Sequence, residues 1–225
     1  MNQTKVIVLD FDNCLVLDEE TGLGSEEIKG EAWFVAFPEH PRDILNPVLE
    51  HAKRLVVAGK GDRKDIAREV LLRFDFSGGD IEGEVLRRCE SFNAHIQQGI
   101  RNISISPKVR KALADLQGRY PLYVNTATPR EAVMESLETL DLLKYFKAIL
   151  GRPGTKAGNL REIISIEHVK PEEVRFVDDQ VSGWNVAQEI GCQFVGIRTA
   201  RNILWHTTLQ PFPIVKSLAE LVDMM

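Results

Sequence analysis

Six side chains invite a chemical reading: Asp10 with Asp12, Thr126 with Thr128, and the adjacent pair Asp178 and Asp179. Each group follows a short apolar run, Val6-Ile7-Val8-Leu9 before the first, Leu122-Tyr123-Val124 before the second, and Phe176-Val177 before the third. Runs of that kind suit strands buried on both faces. In open α/β sheets ligands sit beyond the carboxyl ends of the strands, so acids and hydroxyls at those positions share one crevice. Carboxylates gathered there repel one another unless a cation neutralises them. Oxygen ligands with no His or Cys nearby point to Mg²⁺, held by one or two carboxylates together with a substrate phosphate. A lone acid after a strand is explained equally well as the cap of the next helix. Pairs are not, because capping calls for one acid per turn.

The elements that must position these residues follow from the periodicity. After Pro107 the chain alternates: helix 107–118, strand 121–126, helix 130–143, strand 146–150, helix 157–167, strand 174–178, helix 182–190 and strand 193–197. A short strand near 213–216 and a last helix close the pattern. Strands alternating with helices of this length imply right-handed crossovers and a parallel sheet covered on both faces. Strand 5–10 belongs to the same sheet. Between it and the second strand, roughly residues 20–105 show helical spacing, in Ile44, Leu45, Val48, Leu49, Ala52, Leu55 and Val56, and again in Ile81, Val85, Cys89, Phe92 and Ile96. Gly59-Lys60-Gly61 and Gly78-Gly79 punctuate those helices. The predicted fold is therefore α/β, a doubly wound parallel core with a helical insert after its first strand.

The whole chain sets bounds on function. Its 225 residues are 44% apolar and 27% charged, ordinary for a globular protein. A formal charge of −5 argues against a general nucleic-acid binder, whose affinity needs an excess of Lys and Arg. Cys14, Cys89 and Cys192 lack the spacing of a zinc site or disulfide framework, which suggests reduced thiols and a cytoplasmic protein. The first apolar run is too short for a secretory segment, and no stretch approaches the roughly 20 apolar residues of a membrane span. Neither nucleic acid nor a membrane is the expected partner, and a small anionic ligand stays open because a few local charges are enough for one; oligomeric state is not readable.

Taken in order, four segments resemble the motifs of the haloacid dehalogenase superfamily. Asp10-Phe11-Asp12-Asn13 is similar to the first, Thr126 within Val124-Asn125-Thr126-Ala127-Thr128 to the second, and Lys156 within Gly151-Arg152-Pro153-Gly154-Thr155-Lys156 to the third. Phe176-Val177-Asp178-Asp179, followed by Gly183 and Gly191, resembles the fourth, in the form found in the phosphoglycolate phosphatase and β-phosphoglucomutase branch. The resemblance covers residues 5–18 and 105–225. It implies a Rossmann-like core of residues 1–18 and 106–225, a helical C1 cap of residues 19–105, and a strand order that sets Asp10 between Asp178 and Thr126.

What the resemblance implies about chemistry is a Mg²⁺-dependent phosphatase. Asp10 attacks phosphorus to form an aspartyl-phosphate, and Asp12 gives a proton to the leaving alkoxide and takes one from the water that cleaves the intermediate. Thr126, Ala127 and Lys156 bind the phosphoryl oxygens. Asp10, Asp12 through its backbone carbonyl, and Asp178 or Asp179 hold the metal. Asp12 favours phosphorus over carbon chemistry, since the dehalogenase members lack this second acid. A phosphomutase is the nearest alternative, and a non-catalytic phospholigand-binding or scaffold member the next.

Other residues carry weaker expectations. Lys156 stands where a helix is about to start, a position suited to anions, with Arg152 as the substitute. Asn125 and Thr128 shape the second-motif loop, Arg130 reads as surface charge, and Cys14 as packing. Trp33, Phe34 and Phe37 read as core rather than pocket lining. Asp18, Glu19 and Glu20 form an acidic hinge. Lys53, Arg54, Lys60, Arg63, Lys64, Arg87 and Arg88 are cations mostly on solvated helix faces. Lys29 or Lys53 would be needed for a phosphonate hydrolase. His40, His51, His95, His168 and His206 show no ligand spacing.

Overall fold

The computed structural model describes residues 3–17, 24–59, 61–199, 202, 205 and 208–225, the side chains of 56–59 excepted. The acidic run Asp18-Glu19-Glu20, Lys60, His206 and the expected boundary at 18/19 lie outside the described residues.

The chain divides into two compact units, Met1–Ser25 with Ile100–Met225, and Glu26–Gly99. In the first, six strands form one parallel sheet: β1 (Val6–Leu9), β2 (Leu122–Pro129), β3 (Ala148–Arg152), β4 (Val174–Asp178), β5 (Gln193–Ile197) and β6 (Ile214–Val215). Their order is β3-β2-β1-β4-β5-β6. The sequence predicts this sheet, and its order puts the earliest strand at the centre. All four β1 side chains are buried, so the run alternates between two covered faces. Val6 and Val8 join Phe176, Phe194, Leu160 and Ile163 in one core layer.

Helices return the chain across the sheet. They are α5 (Pro107–Gln117), α6 (Arg130–Thr139), α7 (Lys156–Glu167), α8 (Val181–Ile190) and α9 (Leu218–Met224), numbered after the four of the second unit. Ser106 caps α5 by accepting from Lys108 N, and Thr155 caps α7 by accepting from Gly158 N. Gly191 ends α8 with φ 88°, a left-handed conformation that costs glycine nothing. Predicted helix 130–143 instead ends at Thr139. Leu140 and Leu142 continue its apolar spacing but are buried by a turn through Asp141 (φ 53°), before a 3₁₀ turn at Leu143–Tyr145.

The second unit packs α1 (Ser25–Ala36, whose first residue belongs to the sheet unit), α2 (Arg42–Gly59), α3 (Arg63–Arg73) and α4 (Ile81–Arg101). Leu45, Leu49 and Ala52 form the buried stripe of α2. Ile44 and Leu55, expected on the same face, lie round its flank and are exposed. On α4 the buried stripe Val85, Cys89, Phe92 and Ile96 runs as the spacing predicts. Trp33 and Phe37 are core residues, the Trp33 ring 4.5 Å from that of Phe92. Asp62 starts α3 with a capping box closed by Asp65. Arg88 is a structural cation: it pairs with Glu39 and Glu84, donates to Ala36 O at 2.6 Å and covers the Phe37 ring.

Candidate active site

Sheet register brings the chemistry together. Leu9 pairs with Val124 on one side and with Val177 on the other, so Asp10, Asn125 and Asp178 leave the sheet abreast, with Thr126 and Asp179 one residue on. Asp10 N donates to Val177 O at 2.9 Å, continuing the ladder one residue past the end of β1. Asp10, Asp12, Thr126, Asp178 and Asp179 are all buried.

Carboxylate oxygens of Asp10, Asp178 and Asp179 lie within 4.8 Å of one another. Lys156, the first residue of α7, projects its ammonium between two of them, donating to Asp178 Oδ2 at 2.6 Å and standing 2.8 Å from Asp10 Oδ1. The second contact is an ion pair without hydrogen-bond angles, which leaves Asp10 Oδ1 buried and lacking a hydrogen bond. One ammonium cannot offset three carboxylates. Burial, and then the charge of Asp178, push the Asp10 carboxyl well above its usual range. Burial likewise raises Asp178. Burial works against the charge of Lys156, but Asp10 and Asp178 outweigh it and hold the ammonium above its ordinary pKa. A hard divalent cation fits this donor set: buried oxygen ligands in excess negative charge, one of them short of a hydrogen bond.

Asp178 has both oxygens engaged, Oδ2 by Lys156 and Oδ1 by the Gln180 backbone N–H at 2.9 Å. Asp12 is held differently. Ser25 Oγ donates to its Oδ1 at 2.6 Å and Thr128 Oγ1 to its Oδ2 at 2.7 Å. Its carboxylate is not among the three that converge. The turn that carries it is tight: Asn13 has φ 54°, and Leu15 N and Val16 N both donate to Phe11 O. Cys14 is buried, its thiol 3.9 Å from Val177 O and pushed well up by burial and then by Asp10, as befits packing.

Thr126 Oγ1 accepts from the Thr128 backbone N–H at 3.1 Å, Ala127 is the exposed residue between them, and Arg152, the substitute for Lys156, is exposed on β3. Asn125 does more than shape a loop. Its Nδ2 donates to Lys156 O and its Oδ1 accepts from Asn159, so two buried amides tie the start of α7 to the end of β2. Sequence reasoning missed Ser25 and Asn202. Asn202 Nδ2 donates to both Asp179 O and Ile197 O, joining the ends of β4 and β5. A serine opening a helical stretch signals a cap; nothing in its spacing points to Asp12.

Comparison with known proteins agrees with this geometry. The family described as haloacid dehalogenase-like hydrolase matches residues 63–197, a span that includes Thr126, Lys156, Asp178 and Asp179. The chain belongs to this family. Asp10 and Asp12 precede the matched span and join the set through the central position of β1. A search of curated proteins finds no match.

Solved structures share the fold at low identity. A predicted phosphoglycolate phosphatase from Haemophilus somnus has a TM-score of 0.69 at 18% identity, with 100% of this chain and 99% of that one covered. The magnesium-bound YfnB of Bacillus subtilis, assigned by prediction as a HAD-hydrolase, has 0.70 at 14%, covering 99% of each. A Thermotoga maritima protein assigned by prediction as a β-phosphoglucomutase has 0.69 at 20%, covering 98% of each.

Proposed function

We propose that this hydrolase is a Mg²⁺-dependent phosphatase of small phosphorylated metabolites, working through an aspartyl-phosphate on Asp10. The observation that carries the reading is the convergence of three buried carboxylates, two of them paired with one ammonium, an arrangement that calls for a cation and then suits a phosphoryl group. In this reading Asp10 and Asp179 are direct metal ligands with the backbone carbonyl of Asp12, because both Asp178 oxygens already accept hydrogen bonds. Bound there, Mg²⁺ supplies charge neutralisation for the transferring phosphoryl group.

The chain's own residues do the rest. A carboxylate oxygen of Asp10 forms a bond to phosphorus as the ester oxygen leaves, and Asp12 gives that oxygen its proton. Asp12, now ionised, takes a proton from water as the water oxygen attacks phosphorus, releasing inorganic phosphate and restoring Asp10. Thr126, the Ala127 backbone and Lys156 hold the non-bridging oxygens. The helical segment of residues 19–105 acts as a cap that chooses the substrate. In that segment Arg88 is occupied by Glu39 and Glu84, and Lys29 and Lys53 pair with Glu26 and Glu50, which argues against a Schiff-base lysine and so against the phosphonate hydrolase. Three buried free thiols support a cytoplasmic setting.

Phosphate release from a panel of phosphorylated metabolites, with Mg²⁺ and with chelator, tests the reading beside Asp10→Asn. Metal-dependent release that disappears in the folded variant is expected. Release that persists in Asp10→Asn would rule out the aspartyl-phosphate. Conversion of a sugar phosphate to its positional isomer without phosphate release would establish the mutase instead.

A further inference from the structure

We infer that Ser25 and Thr128 are positioning residues for Asp12, together fixing the carboxyl that exchanges the proton; this rests on the phosphatase reading above. Three separate pieces of chain meet at one carboxylate. Asp12 comes from the turn after β1, Ser25 from the first residue of α1, and Thr128 from the end of β2. Each hydroxyl donates to a different oxygen, at 2.6 and 2.7 Å, so the plane of the carboxyl is set as well as its direction. Ser25 is 0% exposed and Asp12 7%, so water competes little for these bonds.

The partner chemistry suits a group that must carry a proton in one step and lose it in the next. A backbone N–H or an ammonium can only donate, and so cannot accept from the O–H of the protonated carboxyl. A hydroxyl donates to the ionised form and, by rotating, accepts from the protonated one. Two hydroxyls therefore hold Asp12 through the whole cycle. Thr128 has a second link to the site, its backbone N–H donating to Thr126 Oγ1 at 3.1 Å. The hold on Asp12 and the hold on Thr126 thus share one residue.

Leaving-group dependence separates positioning from bulk stability. An alkoxide needs a proton to depart and p-nitrophenolate does not, and kcat/KM reports the step in which that group leaves. The measurement compares kcat/KM for p-nitrophenyl phosphate with that for the alkyl phosphomonoester the wild type hydrolyses best, in wild type, Asp12→Asn, Ser25→Ala, Thr128→Val and Ser25→Thr. General acid catalysis contributes about 10²- to 10⁴-fold, so losing one hydroxyl restraint on the acid should lower the alkyl value about tenfold. The p-nitrophenyl value should change less than about twofold, and Ser25→Thr, which keeps the hydroxyl, should recover most of the alkyl rate. Thr128→Val should reproduce the selective loss independently, with melting temperature and circular dichroism confirming that each variant folds.

Equal losses on both substrates, or an alkyl rate unchanged or raised in both Ser25→Ala and Thr128→Val, would overturn the inference while the selective loss in Asp12→Asn leaves the phosphatase reading standing. A wild type that hydrolyses neither substrate would remove the phosphatase reading and the inference with it.

Discussion

Gly183, in the first turn of α8, stands so close to Asp178 that a Cβ built on it would lie 2.1 Å from Asp178 Oδ2 and 2.4 Å from its Cγ. The helix can therefore approach the acid only where a side chain is missing. Elsewhere in a helix an alanine is preferred over glycine by up to about 1 kcal/mol. Here the contact reverses that preference. Gly183→Ala should lose about 1–3 kcal/mol, the usual range for overpacking, and bind Mg²⁺ more weakly. Urea unfolding and a metal titration followed by melting temperature would check it; an alanine variant as stable as wild type would show that Asp178 is free to move.

Lys156 is the cation that both Asp10 and Asp178 face. Replacing it with Met leaves the carboxylates without it, and breaking a buried pair from one side costs about 3–5 kcal/mol. Lys156→Met should accordingly be destabilised by about that amount without metal and recover part of it when Mg²⁺ is added. Denaturant midpoints measured with Mg²⁺ and with chelator give the comparison. No greater benefit from metal in the variant than in wild type would mean that lysine and cation do not share the work of neutralisation.

At the core layer, the Tyr123 hydroxyl donates to Glu167, which also pairs with Lys147 at 2.8 Å. Burial pushes the Glu167 carboxyl up, but the hydrogen bonds from Lys147 and Tyr123 prevail and leave it below its ordinary value. A carboxyl depressed in the folded state adds stability above its unfolded pKa, and that contribution disappears as pH falls through the folded value. Tyr123→Phe should cost about 2 kcal/mol at pH 7, and less as pH falls below the ordinary carboxylate range and through the depressed folded value, where Glu167 becomes protonated in either protein. Urea unfolding of both proteins across that range measures the narrowing; a constant difference would detach the effect from Glu167.

All three thiols are buried. Burial raises the pKa of each, with Asp10 adding to the rise at Cys14, and Cys192 is pushed up to about 12. An aromatic disulfide reagent at pH 8 should find almost no reactive thiol in the native protein and three in denaturant. One fast-reacting thiol in the native state would single out a cysteine that opens to solvent.

The sheet was legible because parallel strands buried on both faces are written as unbroken apolar runs, and the predicted bounds 174–178 and 193–197 coincide with β4 and β5. The acids were legible because they come in pairs at the ends of such runs, where capping the next helix would use only one. Helix ends were harder. Leu140 and Leu142 keep helical spacing although a turn, rather than a helix, buries them, and periodicity does not distinguish the two. Ile44 and Leu55 were misplaced because α2 buries a narrower stripe than its apolar content suggests. Ser25 and Asn202 were invisible because their partners, Asp12 and Asp179, are distant in sequence, and a single hydroxyl or amide leaves no period to read.

The central place of β1 also bears on how the molecule is made. Val8 is flanked by Tyr123 on one side and Phe176 on the other, both drawn from far later in the chain. During synthesis the strand that carries Asp10 emerges first and must wait, its apolar side chains unsatisfied, until the segment reaching Asp178 has left the ribosome. Contacts so remote in sequence form slowly, because a long loop must close before any of them is rewarded. The cluster of acids is thus assembled late and all at once, and a nascent chain halted before β4 holds Asp10 without the residues that surround it in the folded protein.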